Sequence, residues 1–230
     1  MKTDNVIQMR PSAYAEHRLV TALLDGTYPP GSTLPNERSL AVELGVTRPT
    51  LREVLQRLSR EGWIKIQHGK PSRVKDYWAT GGLALLSTLA DHAQYIPDNA
   101  ILHLLEVRAL FIPAATAQAT AAAPAAIADC FAQGRRLTET TGAYAVFDWQ
   151  WQVLATRLSG NPFFPLILND FAAVFKKAGI RYFGESAARA ASKSFYQQVH
   201  QAIIHREKSI QALVEAALRK SIQIWQELET

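Results

Sequence analysis

Residues 45–78, GVTRPTLREVLQRLSREGWIKIQHGKPSRVKDYW, decide the fold. Gly45 is expected to close a preceding helix, because a left-handed C-cap suits glycine best. Thr47 is placed to cap the next helix, its hydroxyl accepting an orphan backbone N–H. Pro49 is tolerated in a first turn, where no intrahelical bond is lost. Leu51, Val54, Leu55 and Leu58 recur at i, i+3, i+4 and i+7 and predict one buried stripe. That leaves Arg48, Thr50 and Arg52 facing solvent or a polyanion. Gly62 is expected to end the helix. Ile64 and Ile66, a turn at His68-Gly69-Lys70-Pro71, then Arg73 and Val74 predict a short basic β-hairpin.

The segment before this stretch completes the unit. Ser12 to Asp25 carries Leu19, Val20, Leu23 and Leu24 at helical spacing, and Gly26 stops that helix. Tyr28-Pro29-Pro30-Gly31 forces a turn, since proline fixes φ and glycine allows a tight reversal. Leu34-Pro35 leads into a short helix over about 36–44, with Leu40, Val42 and Leu44 expected to face inward. Helix, turn, short helix, tight turn, third helix and basic hairpin is the order of a winged helix-turn-helix. Its third helix reads DNA with its N-terminal residues nearest the base edges.

The stretch PPGSTLPNERSLAVELGVTRPTLREVLQRLSREGWI resembles the DNA-binding domain of GntR-type bacterial transcription regulators. Its continuation, IQHGKPSRVKDYW, is similar to the FadR branch of that family, the acyl-CoA-responsive regulators of fatty acid metabolism. The resemblance is dense over roughly residues 28–90 and looser beyond, where it rests on Ser159-Gly160-Asn161-Pro162, Arg181-Tyr182-Phe183, Phe195-Tyr196 and Ile224-Trp225. It implies a homodimer on a palindromic operator in double-stranded DNA, released by long-chain acyl-CoA. Repression of fatty-acid degradation and activation of unsaturated fatty-acid synthesis are implied with it.

For the DNA site, Arg38, Arg48 and Arg52 are expected to contact base edges or phosphates, and Thr47 and Thr50 to position the helix. His68, Gly69 and Lys70 would act in the wing. Pro49 stands where the family often has a small hydroxyl residue, which removes one possible phosphate contact. For the effector, the resemblance singles out Arg108, Tyr182, Tyr196, Ser221 and Trp225. Leu218 and Lys220 depart from the family's glycine and acidic residue, and the bulkier leucine is expected to shorten or close the pocket.

Length and charge agree with this organisation. A chain of 230 residues suits one large domain or two. Residues 1–78 hold 12 Lys or Arg against 8 Asp or Glu, and residues 79–230 hold 13 against 12. The basic excess therefore sits on the expected DNA reader, where phosphate neutralisation would use it. We expect a mainly α protein: a winged helix-turn-helix domain with a small two-stranded wing over 1–75, a linker over 76–82, and an all-helical effector-binding, dimerisation-associated domain over 83–230. In the linker, Tyr77 and Trp78 either pack the domains together or decorate a passive tether, and the sequence leaves both open. Helices are expected over about 82–93, 98–122, 124–140, 142–159, 162–184, 185–206 and 207–229, giving a bundle of six or seven. Asp98 precedes the run with Leu102, Leu105 and Ala109 at helical spacing. The alanine-rich stretch 114–128 favours helix and close packing.

A single cysteine, Cys130, excludes a disulfide framework within the chain and suits a reducing cytoplasm. No leader and no apolar run of about 18 residues is evident, so a cytoplasmic protein with no membrane partner is expected. Many relatives in the wider group hold a metal with one aspartate and three histidines. Here Asp148 survives, but Trp149-Gln150-Trp151-Gln152 replaces the next histidine, and Tyr196 and Ser221 or Lys220 stand at the later positions. Histidines 92, 103, 200 and 205 fall outside the pattern, so we expect no metal and no cofactor. No nucleophile elbow, P-loop, dinucleotide fingerprint or HExxH motif suggests an enzyme. Two alternatives remain: a GntR-type regulator of another metabolite such as a small carboxylate, and a ligand-independent DNA-binding protein.

Overall fold

Three helices and a hairpin form in the N-terminal part, each begun or ended by the residue expected to do so. The computed structural model describes residues 9–67, 69–92, 95 and 99–229. Helix α1 spans Pro11–Leu24, α2 spans Glu37–Glu43 and α3 spans Arg48–Glu61. The Asn36 side chain caps α2 by accepting from the Ser39 N–H at 2.9 Å. The Thr47 hydroxyl caps α3 by accepting from the Thr50 N–H, and it shares a 2.8 Å bond with the Thr50 hydroxyl. Gly62 ends α3 at φ 100°, a left-handed conformation that glycine adopts without strain. Strands β1 (Ile64–Gln67) and β2 (Lys70–Val74) then pair antiparallel, Ile64 opposite Val74 and Lys65 opposite Arg73.

Two expectations change here. Val42 does not face inward: it is 79% exposed, and Ala41 is buried with Leu40 and Leu44 instead. Positions 40, 41 and 44 share one face of a 3.6-residue helix, while position 42 lies opposite. The hairpin turn is also tighter than the four residues 68–71, because Lys70 already pairs with Gln67 and Pro71 lies within β2. A register irregularity between Lys65 and Gln67 accommodates this. His68 lies outside the described residues.

The chain divides into two compact units, Met1–Ile96 and Pro97–Thr230. Of the residues expected to link the domains, Tyr77 belongs to the core of the first. Helix α4 (Tyr77–Thr80) is capped by Asp76 and buries Tyr77, whose hydroxyl donates to the Leu23 carbonyl and whose ring packs on Trp63. Helix α5 (Leu85–Ala90) adds Leu85 and Leu89 to the same core, and Trp78 stays exposed. The apolar stripe of α3 lies at the centre of that core, with Leu51, Val54 and Leu58 fully buried against α1 and α2.

The second unit is a bundle of α6 (Ala100–Ala122), α7 (Pro124–Gly134), α8 (Thr141–Leu158), α9 (Phe163–Gly184), α10 (Ser186–Ile204) and α11 (Ile210–Glu229). Asp98 lies outside the described residues, and Asn99 stands at the N-cap of α6. By length and composition α6 could cross a membrane, yet it carries Glu106 and Arg108 and packs against α8, α9 and α11 within the bundle. Between α8 and α9, Gly160 takes φ 80°, and the Asn161 side chain accepts from the Phe163 N–H. Helix α7 stops earlier than expected, and Thr140 caps the start of α8.

At the end of α7, Gly134 lets the helix approach α8 and α10. A Cβ there would lie 2.5 Å from the Phe147 ring and 3.0 Å from the Tyr196 ring. Both rings are buried in the bundle core, so neither can swing into solvent. Gly134→Ala should therefore lower stability by about 1–3 kcal/mol through overpacking. Urea unfolding of the full chain measures this, with Gly142→Ala, at an open position, as the control.

Candidate functional site

Two surfaces carry the expected site residues. The first is the exposed side of α3 with its neighbours. Burial of Leu51, Val54, Leu55 and Leu58 turns Thr47, Arg48, Pro49 and Arg52 outward, and all four are exposed. Thr50 is half-buried because its hydroxyl closes the cap. Arg38, on α2, is exposed, as are Gly69 and Lys70 at the tip of the wing. Among the described residues, Arg38 and Arg48 make no ion pair, which leaves both charges available to a polyanion. Arg52 differs: its Nε donates to the Glu37 carboxylate at 2.7 Å. Arg48 stands in the first turn of α3, at the positive end of its helix dipole.

The second site is a cavity of about 310 Å³ inside the bundle, walled by α6, α8, α9, α10 and α11. Its lining is mainly aromatic and aliphatic, including Trp149, Phe175, Phe195 and Leu213. The polar exception is built around Arg108, which is 5% exposed. Its guanidinium donates to the Ser221 hydroxyl at 2.8 Å, lies 3.6 Å from the Asp148 carboxylate and stacks over Phe175 at 5.3 Å. Asp148 also accepts from the Trp151 indole and the Gln152 amide, and more distantly from the Tyr196 hydroxyl. Tyr182 and Trp225 line the cavity. Tyr196 is fully buried and reaches the network from behind, through Asp148.

Electrostatics follow from burial. Removal from water raises the Asp148 carboxyl above its ordinary value, against the opposing pull of Arg108 and three hydrogen bonds. Burial likewise lowers the Arg108 guanidinium, which Asp148 partly offsets; an arginine remains protonated all the same. Burial holds the Tyr182 and Tyr196 hydroxyls far above their usual range, so both stay donors. Three buried polar atoms of lining residues have no partner among the described residues: Arg108 Nε, Gln152 Oε1 and Trp225 Nε1. Buried groups of this kind ordinarily find one, so a polar ligand group fits here. Cys130 is a different case: burial pushes its thiol up to about 11, which makes it inert.

The residues about Asp148 do not fit a divalent ion. A guanidinium already faces the carboxylate, and its other neighbours are an indole, an amide and a phenol. Among the described residues, no three metal-ligating groups converge. Sequence reading missed the role of Gln152 and took Asp148 only for a remnant carboxylate. The i, i+3, i+4 spacing of Asp148, Trp151 and Gln152 is the signal that places them on one face. Leu218 is buried in the cavity wall, while Lys220 lies exposed at its edge.

Comparison with known proteins bears on both sites. Residues 11–74 match the bacterial regulatory proteins of the gntR family, and residues 75–230 match the FadR C-terminal domain. A fatty acid metabolism regulator protein of Shewanella halifaxensis is 39% identical over 223 residues, covering 95% of this chain and 92% of that protein. One from Shewanella baltica is 40% identical over 193 residues, covering 82% and 79%. Among solved structures, that of Lar, which controls the expression of the Listeria monocytogenes agr system, superposes with a TM-score of 0.62. It shares 15% identity over 95% of this chain and 98% of its own, a likeness of fold.

The buried pair makes a stability prediction. Arg108→Leu leaves the Asp148 charge without its cation and should cost about 3–5 kcal/mol. Arg108→Leu with Asp148→Leu removes both charges and should recover most of that loss. Denaturant unfolding of the two variants and the parent at neutral pH measures the difference.

Proposed function

This chain belongs to the gntR family of bacterial regulatory proteins and is a DNA-binding regulator of fatty acid metabolism, not an enzyme; from that premise we propose that it binds a palindromic operator as a homodimer and is released by long-chain acyl-CoA. Two reading helices related by a two-fold axis meet a site of the same symmetry. Arg38, Arg48 and Arg52 contact bases or phosphates, Thr47, Pro49 and Thr50 set the helix against the backbone, and the wing follows with His68, Gly69 and Lys70. Such a protein works in the cytoplasm, where its operator is.

The cavity carries the effector reading. It is apolar enough for an acyl chain, its volume of about 310 Å³ lies at the lower end of the range of small-molecule sites, and its polar patch offers unpartnered donors at Arg108 and Trp225. Tyr182, Trp225 and Ser221 line it with Arg108, and Tyr196 orients Asp148 behind them. Leu218 narrows the wall, which favours shorter chains and supports the runner-up, a small carboxylate seated on Arg108. The ligand weakens DNA binding by preferring the form whose reading helices do not match the operator.

Arg48→Ala should weaken operator binding by about 1–3 kcal/mol, the worth of a bidentate arginine–guanine contact. Its thermal unfolding should stay at the parent value, since Arg48 is exposed and makes no ion pair among the described residues. Gel shifts with operator and scrambled duplex, beside thermal melts, check both statements.

Acyl-CoA should weaken operator affinity, and operator should weaken acyl-CoA affinity by the same factor, because coupling between two sites is reciprocal. Calorimetric titration of acyl-CoAs of graded length, with and without operator, measures both arms. Absence of heat with every acyl-CoA, in protein that still binds its operator, removes the effector and leaves the DNA reading intact.

A further inference from the structure

Glu37 is an acidic residue beside the DNA-reading arginines, and none of the DNA contacts proposed above uses it. It is the first residue of α2, and its carboxylate takes the Arg52 Nε–H from α3 at 2.7 Å. The two terminal amino groups of Arg52 have no partner among the described residues. Both side chains edge a groove of about 340 Å³ between α3 and the wing, beside Gln56, Ile66 and Gln67.

The geometry bears on how arginine reads a base. A guanidinium is a rigid planar fork of five donors. With Nε tied to a carboxylate, its plane is set and its two terminal groups stay together, as bidentate contact with guanine O6 and N7 requires. An arginine without that tie takes whichever phosphate oxygen is near. Stability is a thin explanation for the pair, since an ion pair this exposed (62% and 38%) contributes little. Glu37 does complement the N-terminal dipole of α2, but that role needs no Arg52. Against DNA a carboxylate repels phosphates, so its position here costs non-specific affinity.

We infer that Glu37 is a positioning residue for base recognition: by holding Arg52 through Nε, it turns a general phosphate-binding cation into a reader of one guanine. The inference rests on the proposed contact between Arg52 and the operator. Glu37 itself makes no base contact in this scheme; it sharpens discrimination and slightly lowers affinity for unrelated DNA.

The test is a double-mutant cycle on base discrimination, with full-length parent, E37A, E37Q, R52A and E37A/R52A. Each is titrated against the operator and against operators in which one guanine pair at a time is replaced. A ratio of affinities within one preparation does not depend on the folded fraction, so a destabilised variant still gives an answer. In the parent, one replacement should weaken binding about tenfold through loss of the Arg52 contact, and R52A should abolish that discrimination. E37A should reduce discrimination at that same position to about threefold or less and leave other positions unchanged, with E37Q intermediate. E37A should also bind unrelated duplex more tightly and with a steeper salt dependence, as Arg52 turns to phosphate. In the R52A background, the Glu37 substitution should have no effect on discrimination. Undiminished discrimination in E37A, or an equal loss with and without Arg52, overturns the inference. Unchanged discrimination in R52A overturns it too, and alone among these results removes Arg52 from the base-reading set.

Discussion

Helix α3 has to be buried on one side and bare on the other, and the first unit is arranged around that demand. Leu51, Val54, Leu55 and Leu58 are the buried side, and each is worth about 1.5–3 kcal/mol when removed from water. Helices α1 and α2, Trp63 at the start of the wing, and Tyr77, Leu85 and Leu89 beyond it all close over that stripe. Because the stripe is fixed, the opposite face has no rotational freedom. Thr47, Arg48 and Arg52 are presented in a single orientation, and the caps at Thr47 and Gly62 set where the presentation starts and stops. A reading helix needs this rigidity, since a displaced arginine finds phosphate instead of a base edge.

The second unit solves a different problem, that of a charge inside an apolar bundle. Arg108 comes from α6, Asp148 from α8 and Ser221 from α11, so three helices must keep their register for the guanidinium to be satisfied. The network is incomplete at Arg108 Nε, Gln152 Oε1 and Trp225 Nε1, each on a residue of the cavity wall. An apolar chain alone would leave those atoms as they are. A ligand with a polar group at that end would complete them, and its binding energy would then be felt by all three helices. A polar, half-satisfied interior is a poor way to gain stability and a good way to make packing depend on an occupant.

Most of the fold was legible because its signals are local. The i, i+3, i+4, i+7 stripe of α3, the Thr47 cap, the glycine stops at Gly45 and Gly62 and the Gly160-Asn161-Pro162 break each act within one turn of helix, so a short window of sequence contains them. The errors came where a window was ambiguous. In α2, seven residues are too few to separate Val42 from Ala41 by periodicity, and the helix direction decided it. At residues 76–82, aromatic residues between two domains looked like a junction. Tyr77 had a tertiary partner, the Leu23 carbonyl, that local sequence does not contain.

By itself the sequence determined the winged helix-turn-helix, its exposed arginines and the mostly helical character of the described residues after 82, because backbone propensity, capping and amphipathic spacing are properties of neighbours in the chain. Only the tertiary structure decided that Asp148 faces a guanidinium, that Tyr196 stands behind the cavity wall while Tyr182 lines it, and that Arg52 is tied to Glu37. Those contacts join residues up to 48 positions apart. Their distances depend on how whole helices cross, and that crossing is set by the summed packing of many side chains at once, which no single segment encodes.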